Sequence, residues 1–571
     1  MLEQNGVKHF EANSVADIFN SYYTKIASNL VQLLPTPSGI YSTASSTFRR
    51  FYQGKGIRGP CFTLMPVSRH FILTQLNSFN SKKSTGLDDI SPRFLKDGAP
   101  VLVGPITHIV NLSILTETVP SELKRAKVVP LYKKGSRLDP GNYRPVSILS
   151  ALSKLLERAV NSQLVNHLNS RNLLYEYQSG FRNRYSTDTC LINLTDYVRD
   201  EFKKGKMVGM VMIDLRKAFD TVDGDILINK LSAMGVTSLD WFRSYLFDRE
   251  QCTQVDGNQS SFSQVTCGVP QGSILGPTLF LCYVNDMSSC LNCRLSLYAD
   301  DSALIYSGNN ATEIANFLSN ELSSCKLWLI DNRLSLHVGK TESILFGTKR
   351  KIKVAGEFSV RCDGEAVQRV TSLVYLGVKL DQFLSFDEYV TGVCDAANNR
   401  LSFLHRYSGL LDFQTRKLIC TSLVLSKLSY CISAWYPGLG LGLRSRLDVA
   451  QRKMVRFVKG WTPREHVGEP EINSIGWLSF SKRALRFQLT HLFKVKLGLA
   501  PLYFSRSFCP TTAVHQHNTR GSPYNFSIDG THAVGTFHYT TAREWNRLPT
   551  ELKTATSLTS FKKKLRQHFM S

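Results

Sequence analysis

The spacing of apolar residues predicts helices in several parts of the chain. In residues 15–34 an apolar side chain follows every three or four positions, and Pro35 and Pro37 end this pattern. The following residues, up to Gly59, are rich in Ser, Thr and Gly, which predicts a loop. A second helical pattern occupies residues 152–168, and beyond about residue 388 the pattern is mainly helical. Asn310 and Glu313 can cap a further helix.

Short, nearly continuous apolar runs between these helices predict buried strands. Residues 207–213 form one such run and end at Asp214. Residues 294–298 and 302–306 form two more, joined by Ala299, Asp300 and Asp301, and a shorter strand is expected at residues 127–131. Residues 372–380 are typical of a strand pair or hairpin. Acidic residues therefore stand at the ends of two predicted strands.

Composition limits the classes of protein that fit. The chain has 571 residues, of which 43% are hydrophobic, so it can form large cores and is not a disordered chain. Its formal net charge is +24, and residues 381–571 carry 26 Lys and Arg against 12 Asp and Glu. This excess favours a polyanionic partner such as nucleic acid, although a solvated basic surface gives the same count. The cations Arg452, Lys453, Arg456 and Lys459 are candidates for contact with a nucleic-acid backbone.

Features of secreted and membrane proteins are not apparent. No apolar run reaches the roughly 18 residues of a membrane span, and charged residues interrupt the first 25 positions, so we expect no signal peptide and no membrane insertion. Thirteen cysteines are scattered through the chain, and only Cys290 and Cys293 form a CxxC pair. We expect reduced thiols, without a disulfide framework or a zinc site.

The acidic residues at the strand ends are candidates for a metal site. If the two strands are neighbours, Asp214 and Asp300 lie within reach of one pair of Mg²⁺ ions, which bind carboxylates together with substrate phosphates. Two metal ions roughly 4 Å apart can activate an attacking oxygen and stabilise a leaving one. Either acidic pair alone is weak evidence, because Asp-Asp in a turn commonly serves the turn itself.

Two further segments change the weight of this evidence. Residues 268–273, Gly-Val-Pro-Gln-Gly-Ser, form a loop that lets the backbone approach a flat ligand, or an ordinary tight loop. A basic cluster around the strand at residues 127–131 can hold a triphosphate or a template backbone, or can be a solvated face. Its members are Lys124, Arg125, Lys127, Lys133, Lys134, Arg137 and Arg144.

Taken in order, these segments resemble the reverse transcriptase of non-LTR (LINE-type) retrotransposons, of the Jockey-like kind. The resemblance covers about residues 80–381, and it is weaker in the tail, at Trp545-Asn-Arg-Leu-Pro549 and Phe561-Lys-Lys-Lys-Leu565. The motifs that carry it are Lys133-Lys134 with Asn142-Tyr-Arg-Pro-Val-Ser147, Gln178-Ser-Gly-Phe-Arg182, Asp214-Leu-Arg-Lys-Ala-Phe-Asp220, Gly268-Val-Pro-Gln-Gly-Ser273, Tyr298-Ala-Asp-Asp301, Leu334-Ser-Leu336 with Lys340-Thr341, and Tyr375-Leu-Gly377.

The resemblance implies a role for each matching position. Asp214 and Asp300 would bind two Mg²⁺ ions (Mn²⁺ is an alternative) with Asp301 beside them, and Leu215 would offer a backbone carbonyl. Phe219 would lie under the incoming sugar, and Lys340 would be a proton donor near the pyrophosphate. Asp220 matches the family pattern, but the resemblance gives it no secure chemical role. Helix capping and a supporting contact to another site residue fit it as well as a chemical role does. The remaining positions are the nucleotide-binding Lys133, Lys134, Arg144, Gln271 and Gly272, and the primer grip Tyr375, Leu376 and Gly377.

The implied architecture is a right-hand polymerase of the α+β class. We expect an N-terminal extension at residues 1–60, fingers at 61–205, an antiparallel-sheet palm backed by helices at 206–380, a helical thumb at 381–470 and a basic C-terminal region at 471–571. The bulky Phe219 favours deoxynucleotides, because a ring there would exclude a ribose 2′-hydroxyl.

The implied activity is RNA-directed DNA synthesis, with an RNA template, a DNA or RNA primer and dNTPs as partners. A catalytically inactive nucleic-acid-binding relic and an RNA-dependent RNA polymerase are the alternatives. The expected location is intracellular, in the cytoplasm and nucleus. Elements of this family usually encode an endonuclease before the polymerase, and the roughly 80 residues before the first motif are too few for one.

Overall fold

The N-terminal segment contains more structure than the sequence predicts. The computed structural model describes residues 1–4, 6–57, 59, 61–514, 523–528, 530 and 532–571. The expected first helix is present, whereas the expected loop up to Gly59 is wrong in part, because a helix with buried Phe48 and Tyr52 lies within it. The elements are β1 (Leu2–Gln4), β2 (Val7–His9), α1 (Ala12–Gln32) and α2 (Ser46–Gly54).

Residues 61–205 are mainly helical, with one pair of strands. The pair is antiparallel, and Leu131 lies opposite Arg144. The elements are α3 (Arg69–Asn77), α4 (Pro92–Asp97), α5 (Ala99–Leu115), β3 (Arg125–Tyr132), β4 (Tyr143–Ile148), α6 (Ala151–Ser170) and α7 (Thr187–Lys203).

Residues 206–381 alternate between strands and helices. The predicted strands at 207–213 and 294–298 have the predicted bounds, and the third begins at Asp301. The strands are β5 (Met207–Ile213), β6 (Arg249–Val255), β7 (Asn258–Gln259), β8 (Ser263–Val265), β9 (Arg294–Tyr298), β10 (Asp301–Gly308), β11 (Glu342–Phe346), β12 (Arg361–Cys362), β13 (Glu365–Ala366), β14 (Gln368–Arg369), β15 (Ser372–Tyr375) and β16 (Val378–Asp381). The helices are α8 (Gly224–Ala233), α9 (Leu239–Leu246), α10 (Gly276–Val284), α11 (Ala311–Asp331) and α12 (Lys349–Val354).

The described part of residues 382–571 is helical, as the apolar spacing predicts. A π-helical stretch, Cys420–Leu425, continues one of the helices. The helices are α13 (Asp387–His405), α14 (Phe413–Ile419), α15 (Ser426–Leu428), α16 (Ile432–Trp435), α17 (Leu441–Lys459), α18 (Glu469–Ser474), α19 (Phe480–Lys496), α20 (Leu502–Arg506), α21 (Thr511–Val514), α22 (Phe537–Asn546), α23 (Thr550–Lys553) and α24 (Leu558–Met570).

A central sheet brings the ends of the acidic strands together. Among the described residues its strand order is β14-β11-β5-β10-β9, and β5 pairs antiparallel with β10 and β11. The short β14 pairs parallel with β11, so the sheet is mixed rather than wholly antiparallel. Together with the helices around it, this sheet makes the fold α+β.

The central sheet separates two hydrophobic cores, because its side chains alternate between its faces. Met207 and Val211 of β5 face one core, and Val208 and Met210 face the other. This two-sided burial explains why β5 is a continuous apolar run. At Gly209 a Cβ would lie 2.4 Å from Ile314 Cγ2, so glycine allows α11 to pack directly on the strand.

A second sheet carries the basic strand pair. Its order is β4-β3-β6-β7, with β8 also paired to β6, and β3 and β6 are parallel. Helix α1 packs across this sheet, where Asn20 Nδ2 donates to the Ser261 carbonyl at 2.9 Å. The N-terminal helix is therefore part of the wall beside the basic strands.

All thirteen cysteines are free thiols. Among the helices of the described residues, none is both long and apolar enough to cross a bilayer.

Candidate active site

The antiparallel pairing of β5 and β10 places Asp214 and Asp300 at one edge of the central sheet. Ser302 lies opposite Ile213, so Asp214, which follows β5, and Asp300, in the β9–β10 turn, come to the same end of the paired strands. Both carboxylates line one cavity of about 900 Å³. Asp301, the first residue of β10, is next to the cavity but not part of its lining.

The three carboxylates act on one another electrostatically. Desolvation raises the pKa of Asp300, and the negative charge of Asp214 raises it further, whereas Arg144 and Lys133 oppose the shift. Desolvation and the smaller effects of the negative charges of Asp300 and Asp214 together raise the pKa of Asp301 to about 6. A cation between these groups would relieve their mutual repulsion.

The residues present fit a divalent cation that also binds substrate. No group of three or more His, Cys, Asp or Glu side chains in the described ranges forms a complete metal cage. Mg²⁺ commonly takes only one or two carboxylates, and substrate phosphates and water supply its other oxygen ligands. The crowded pair Asp214 and Asp300, open to a large cavity, matches that requirement.

The motif at residues 178–182 supports the turn that carries Asp300. Gln178 Oε1 accepts hydrogen bonds from the backbone N–H groups of Ala299 and Gly180, both at 2.9 Å. The Ser179 N–H donates to the Leu297 carbonyl at 2.8 Å. A Cβ at Gly180 would lie 2.4 Å from Ala299 N, so glycine is required for this close approach. Ala299 has φ of 58°, a conformation that needs such support.

A basic wall faces the carboxylates across the cavity. Lys133 and Arg144, carried by the β3–β4 pair, line the cavity with Lys340. Desolvation lowers the pKa of Lys133, and the positive charges of Arg144, Lys134 and Lys340 lower it further. Lys134 is thus close to this group but is not itself in the lining. Cations that share a cavity with carboxylates suited to a divalent cation also suit a triphosphate.

The aromatic residue predicted to lie under the sugar also lines the cavity. The Phe219 ring stacks on Phe280 with centroids 4.2 Å apart, and Phe181 meets it edge-on at 6.1 Å. The carbonyl of Phe219 accepts a hydrogen bond from the Val269 N–H at 2.9 Å, which ties the loop at residues 268–273 to this segment.

The same loop places Gln271 and Gly272 at the cavity. The Gln271 carbonyl accepts from the Ser147 N–H at 2.8 Å, and Gln271 Nε2 donates to Asp220 Oδ1 at 2.6 Å. Gly272 has φ of 120°, and a Cβ there would lie 2.5 Å from the Ser147 carbonyl oxygen. The loop is therefore packed against β4, beside the basic wall.

Some residues of the cavity were missed by the sequence analysis. His337 lines the cavity next to Lys340, and the backbone N–H of His337 donates to the backbone carbonyl of Asp214 at 2.8 Å. Leu215, which the sequence analysis did predict, also lines the cavity and forms a bridge with Leu336 of the same segment. From α1, Ile26 and Leu30 complete the lining. The spacing of apolar residues predicted that α1 has a buried face. It did not predict that residues of α1 line this cavity.

The predicted primer-grip residues lie elsewhere. Tyr375 is fully buried, and its hydroxyl is 3.1 Å from Ser296 Oγ. Gly377, in the β15–β16 turn, borders a second cavity of about 800 Å³, and the Leu376 carbonyl accepts from the Tyr430 hydroxyl at 2.9 Å. The structure does not bring this turn into the cavity of Asp214.

Comparison with known proteins finds a family model and several relatives that match the part of the chain around the cavity. Residues 131–380 match the family model for reverse transcriptase (RNA-dependent DNA polymerase). The chain is 28% identical over 420 residues to a probable RNA-directed DNA polymerase from transposon BS of Drosophila melanogaster, covering 69% of this chain and 45% of the relative. It is 26% identical over 414 residues to the RNA-directed DNA polymerase from mobile element jockey of Drosophila funebris, covering 69% and 44%.

The chain spans less than half the length of these relatives. A third relative, a probable RNA-directed DNA polymerase from transposon X-element of Drosophila melanogaster, is 24% identical over 394 residues, with 67% and 42% covered. Residues 131–380, which hold all the cavity residues except those of α1, are thus a reverse transcriptase domain, and the chain that carries it is similar to the polymerases of jockey-like non-LTR retrotransposons.

Proposed function

We propose that this chain is an RNA-directed DNA polymerase that extends a primer 3′ end with dNTPs on an RNA template. One observation carries the proposal: a single cavity gathers Asp214, Asp300, Phe219, Gln271 and a basic wall from segments far apart in sequence. Each supplies a group that nucleotidyl transfer requires. The RNA template and the DNA or RNA primer are the proposed macromolecular partners, with assembly on RNA in the cytoplasm and action on nuclear DNA.

The side chains divide the task as follows. Lys133 and Arg144 bind the triphosphate, with Lys134 beside them, and Lys340 gives a proton to the leaving pyrophosphate. Gln271 and Gly272 orient the nucleotide, and the backbone carbonyl of Leu215 adds an oxygen ligand. Reverse transcriptases generally use divalent metal ions, and two Mg²⁺ or Mn²⁺ ions on Asp214 and Asp300, with Asp301 beside them, would supply activation of the 3′-hydroxyl and neutralisation of the phosphate charge.

The proposed architecture follows the right-hand plan. Residues 61–205 are the fingers, 206–380 the palm and 381–470 the thumb, preceded by an extension at 1–60 and followed by a basic region at 471–571. The β15–β16 turn, with Tyr375, Leu376 and Gly377, is the proposed primer grip, because it joins the central sheet region to the helices that follow. Its buried Tyr375 would hold the turn, and its backbone would face the primer.

Phe219 gives the sharpest test of the substrate. A ring at this place excludes a ribose 2′-hydroxyl and offers it no hydrogen bond, and an unpaired hydroxyl costs about 1–3 kcal/mol. We therefore expect the wild-type chain to prefer dNTPs and Phe219→Ala to lower the dNTP-to-rNTP ratio of kcat/KM by about ten- to a hundredfold. The measurement is single-nucleotide extension of a primer on an RNA template.

Phe219→Tyr is the matched control, because it keeps the ring and should keep the preference for dNTPs. Circular dichroism establishes that each variant is folded. Efficient use of rNTPs by the wild-type chain would identify an RNA-dependent RNA polymerase instead, and an unchanged ratio in a folded, active Phe219→Ala would remove Phe219 from sugar selection.

A further inference from the structure

Two C-terminal helices, α19 and α24, pack side by side and leave cations along their junction. The rings of Phe493 and Phe561 stack with centroids 4.1 Å apart, and at the other end Lys482 Nζ donates to the Phe569 carbonyl at 2.8 Å. The first contact joins the end of α19 to the start of α24, and the second joins the start of α19 to the end of α24. The two helices are therefore antiparallel. Both helices bury an apolar face in the core that also contains one face of the central sheet.

The cations follow the helical repeat. On α19, Arg483, Arg486 and Lys494 share a stripe with Thr490, at intervals of three and four residues. On α24, Lys562 and Arg566 are one turn apart. Arg483, Arg486 and Arg566 are close enough to act on one another, as are Lys494 and Lys562. We call these five residues the α19–α24 cationic seam.

Lys417 of α14 brings a further positive charge close to Arg566. Arg566 donates to the Gly476 carbonyl at 2.9 Å, and a Cβ at Gly476 would lie 3.3 Å from Arg566 Nη2 and 3.7 Å from Lys417 Nζ. Lys417 of α14 and Arg566 therefore approach the same glycine. The seam thus continues towards the helices of residues 387–459.

The seam lacks carboxylate partners. Within the described ranges none of its five cations forms an ion pair, whereas Lys482 of the same helix pairs with Glu469 at 3.1 Å. Arg483 Nε is buried without a hydrogen-bond partner. The negative charge of Asp188 acts on Lys494, but Asp188 already bonds to His491.

This arrangement is unfavourable for the protein alone. Desolvation, together with the weaker charge repulsion from Arg486 and Arg566, lowers the pKa of Arg483 to about 10. Cations that are partly desolvated and face one another stabilise a fold only when an anion joins them. The missing component is an anion of several charges.

We propose that the α19–α24 cationic seam binds the phosphodiester backbone of a nucleic acid, at a site separate from the cavity of Asp214. The eleven helical steps from Arg483 to Lys494 span about 16 Å, which matches roughly five nucleotides of one strand at about 3.4 Å each. Guanidinium groups suit phosphate because their planar donors bind it in pairs. The choice of nucleic acid over another polyanion rests on the proposed function. The observation that the seam cations lack carboxylate partners does not depend on it.

The test compares two arginine pairs in the same region of the full chain. Arg483→Met with Arg486→Met removes two seam cations and keeps their apolar stems. Arg543→Met with Arg547→Met is the matched control, because both control arginines pair with Glu544, at 2.9 and 3.0 Å. Binding of labelled single-stranded RNA and of a DNA duplex is measured by fluorescence anisotropy from 50 to 300 mM KCl.

We expect the seam variant to bind at least about tenfold more weakly and to lower the slope of log K against log salt by about 1.4–1.8, for two lost phosphate contacts. In the control variant, the changes in affinity and in the salt slope should each be less than half of those in the seam variant. The melting temperature of the free seam variant should be equal to or above that of the wild type, because a repulsion has been removed. The two labelled ligands show whether RNA or DNA is the source of the phosphates.

An unchanged slope, or equal losses in the seam and control pairs, would overturn the proposal. Equal competition by polyglutamate at matched charge would also do so, because the seam would then bind any polyanion. If the double variant does not fold, Lys562→Met, at the edge of the seam, replaces it with an expected slope change of about 0.7–0.9. Primer extension separates the two proposals: a wild-type chain that does not extend primers removes the proposed function, while the slope still judges the seam.

Discussion

Asp220 shows how a single residue gains a role from its neighbours. The sequence left its function open between helix capping and a supporting contact. Its carboxylate accepts a hydrogen bond from Gln271 Nε2 at 2.6 Å, and burial raises its pKa. A Cβ at Gly268 would lie 2.7 Å from the Asp220 carbonyl oxygen, so the loop and this segment are in close contact. Asp220 is therefore a positioning residue for Gln271.

Asp220→Ala should weaken nucleotide binding more than turnover. Loss of a charged hydrogen-bond partner costs about 1.5–3 kcal/mol, which predicts a KM for dNTP raised by roughly ten- to a hundredfold while kcat changes little. Steady-state single-nucleotide extension measures both constants. Asp220→Asn keeps an acceptor oxygen and should restore most of the affinity. A wild-type KM in Asp220→Ala, or equal damage in both variants, would contradict this role.

At the scale of elements, α20 supports the turn that carries Asp300. Its Tyr503 hydroxyl lies 3.2 Å from Ser179 Oγ and 3.4 Å from Thr189 Oγ1, and its ring stacks on Tyr177 with centroids 5.6 Å apart. Ser179 in turn pairs with the backbone of β9. A helix some 200 residues after the turn thus helps to fix the position of a carboxylate in the cavity.

Tyr503→Phe tests this connection because it keeps the ring and removes only the hydroxyl. A neutral hydrogen bond contributes about 1 kcal/mol, so kcat should fall roughly fivefold with an unchanged KM for dNTP. Tyr539→Phe, on α22 of the same region, is the control and should leave kcat unchanged. If both variants have the same kcat, α20 supports the fold but not the turn.

Local patterns were sufficient to predict some elements and not others. The bounds of β5 and β9 were predicted because continuous apolar runs mark strands that are buried on both faces. Helix α2 was missed because it has only nine residues, and its two buried aromatic residues, Phe48 and Tyr52, are too few to show a period. The pairing of β3 with β6 joins residues more than 120 positions apart, which no local pattern records.

At the scale of the whole molecule, the C-terminal helices belong to the same core as the central sheet. Phe493, Trp545 and Phe561 share a cluster with Val208 and Met210 of β5. Buried Asp196 of α7 accepts from the N–H groups of Phe537 and His538 at the start of α22. The C-terminal region is therefore an integral part of the fold that carries the cavity.

The whole molecule also shows which parts of the site were open to prediction. The adjacency of Asp214 and Asp300 followed from strand ends and family motifs, because pairing of the strands was enough to bring them together. The contribution of Ile26 and Leu30 depends on how α1 packs, and the distance of Tyr375 from the cavity depends on the β15–β16 turn. The net charge could be counted from the sequence. Which cations lack acidic partners could be seen only in the structure.

The basic residues of α17 illustrate this last point. Lys453 Nζ donates to Asn398 Oδ1 at 3.2 Å, and Arg456 Nε donates to the Glu465 carbonyl at 2.9 Å. These cations have polar partners within the fold, unlike Arg483 in the α19–α24 cationic seam. Their expected contact with a nucleic-acid backbone stays a prediction.

The most direct measurement of the central claim is primer extension by the purified chain on an RNA template, with dNTPs and Mg²⁺, in the wild type and in Asp300→Asn. Asp240→Asn, an exposed carboxylate of α9, is the matched control. We expect the wild type and the control to extend the primer, and Asp300→Asn to lose about a thousandfold or more in rate, because the substitution removes a ligand of the metal ions that would stabilise the developing negative charge. A wild-type chain without extension, or a folded Asp300→Asn with the wild-type rate, would contradict the account.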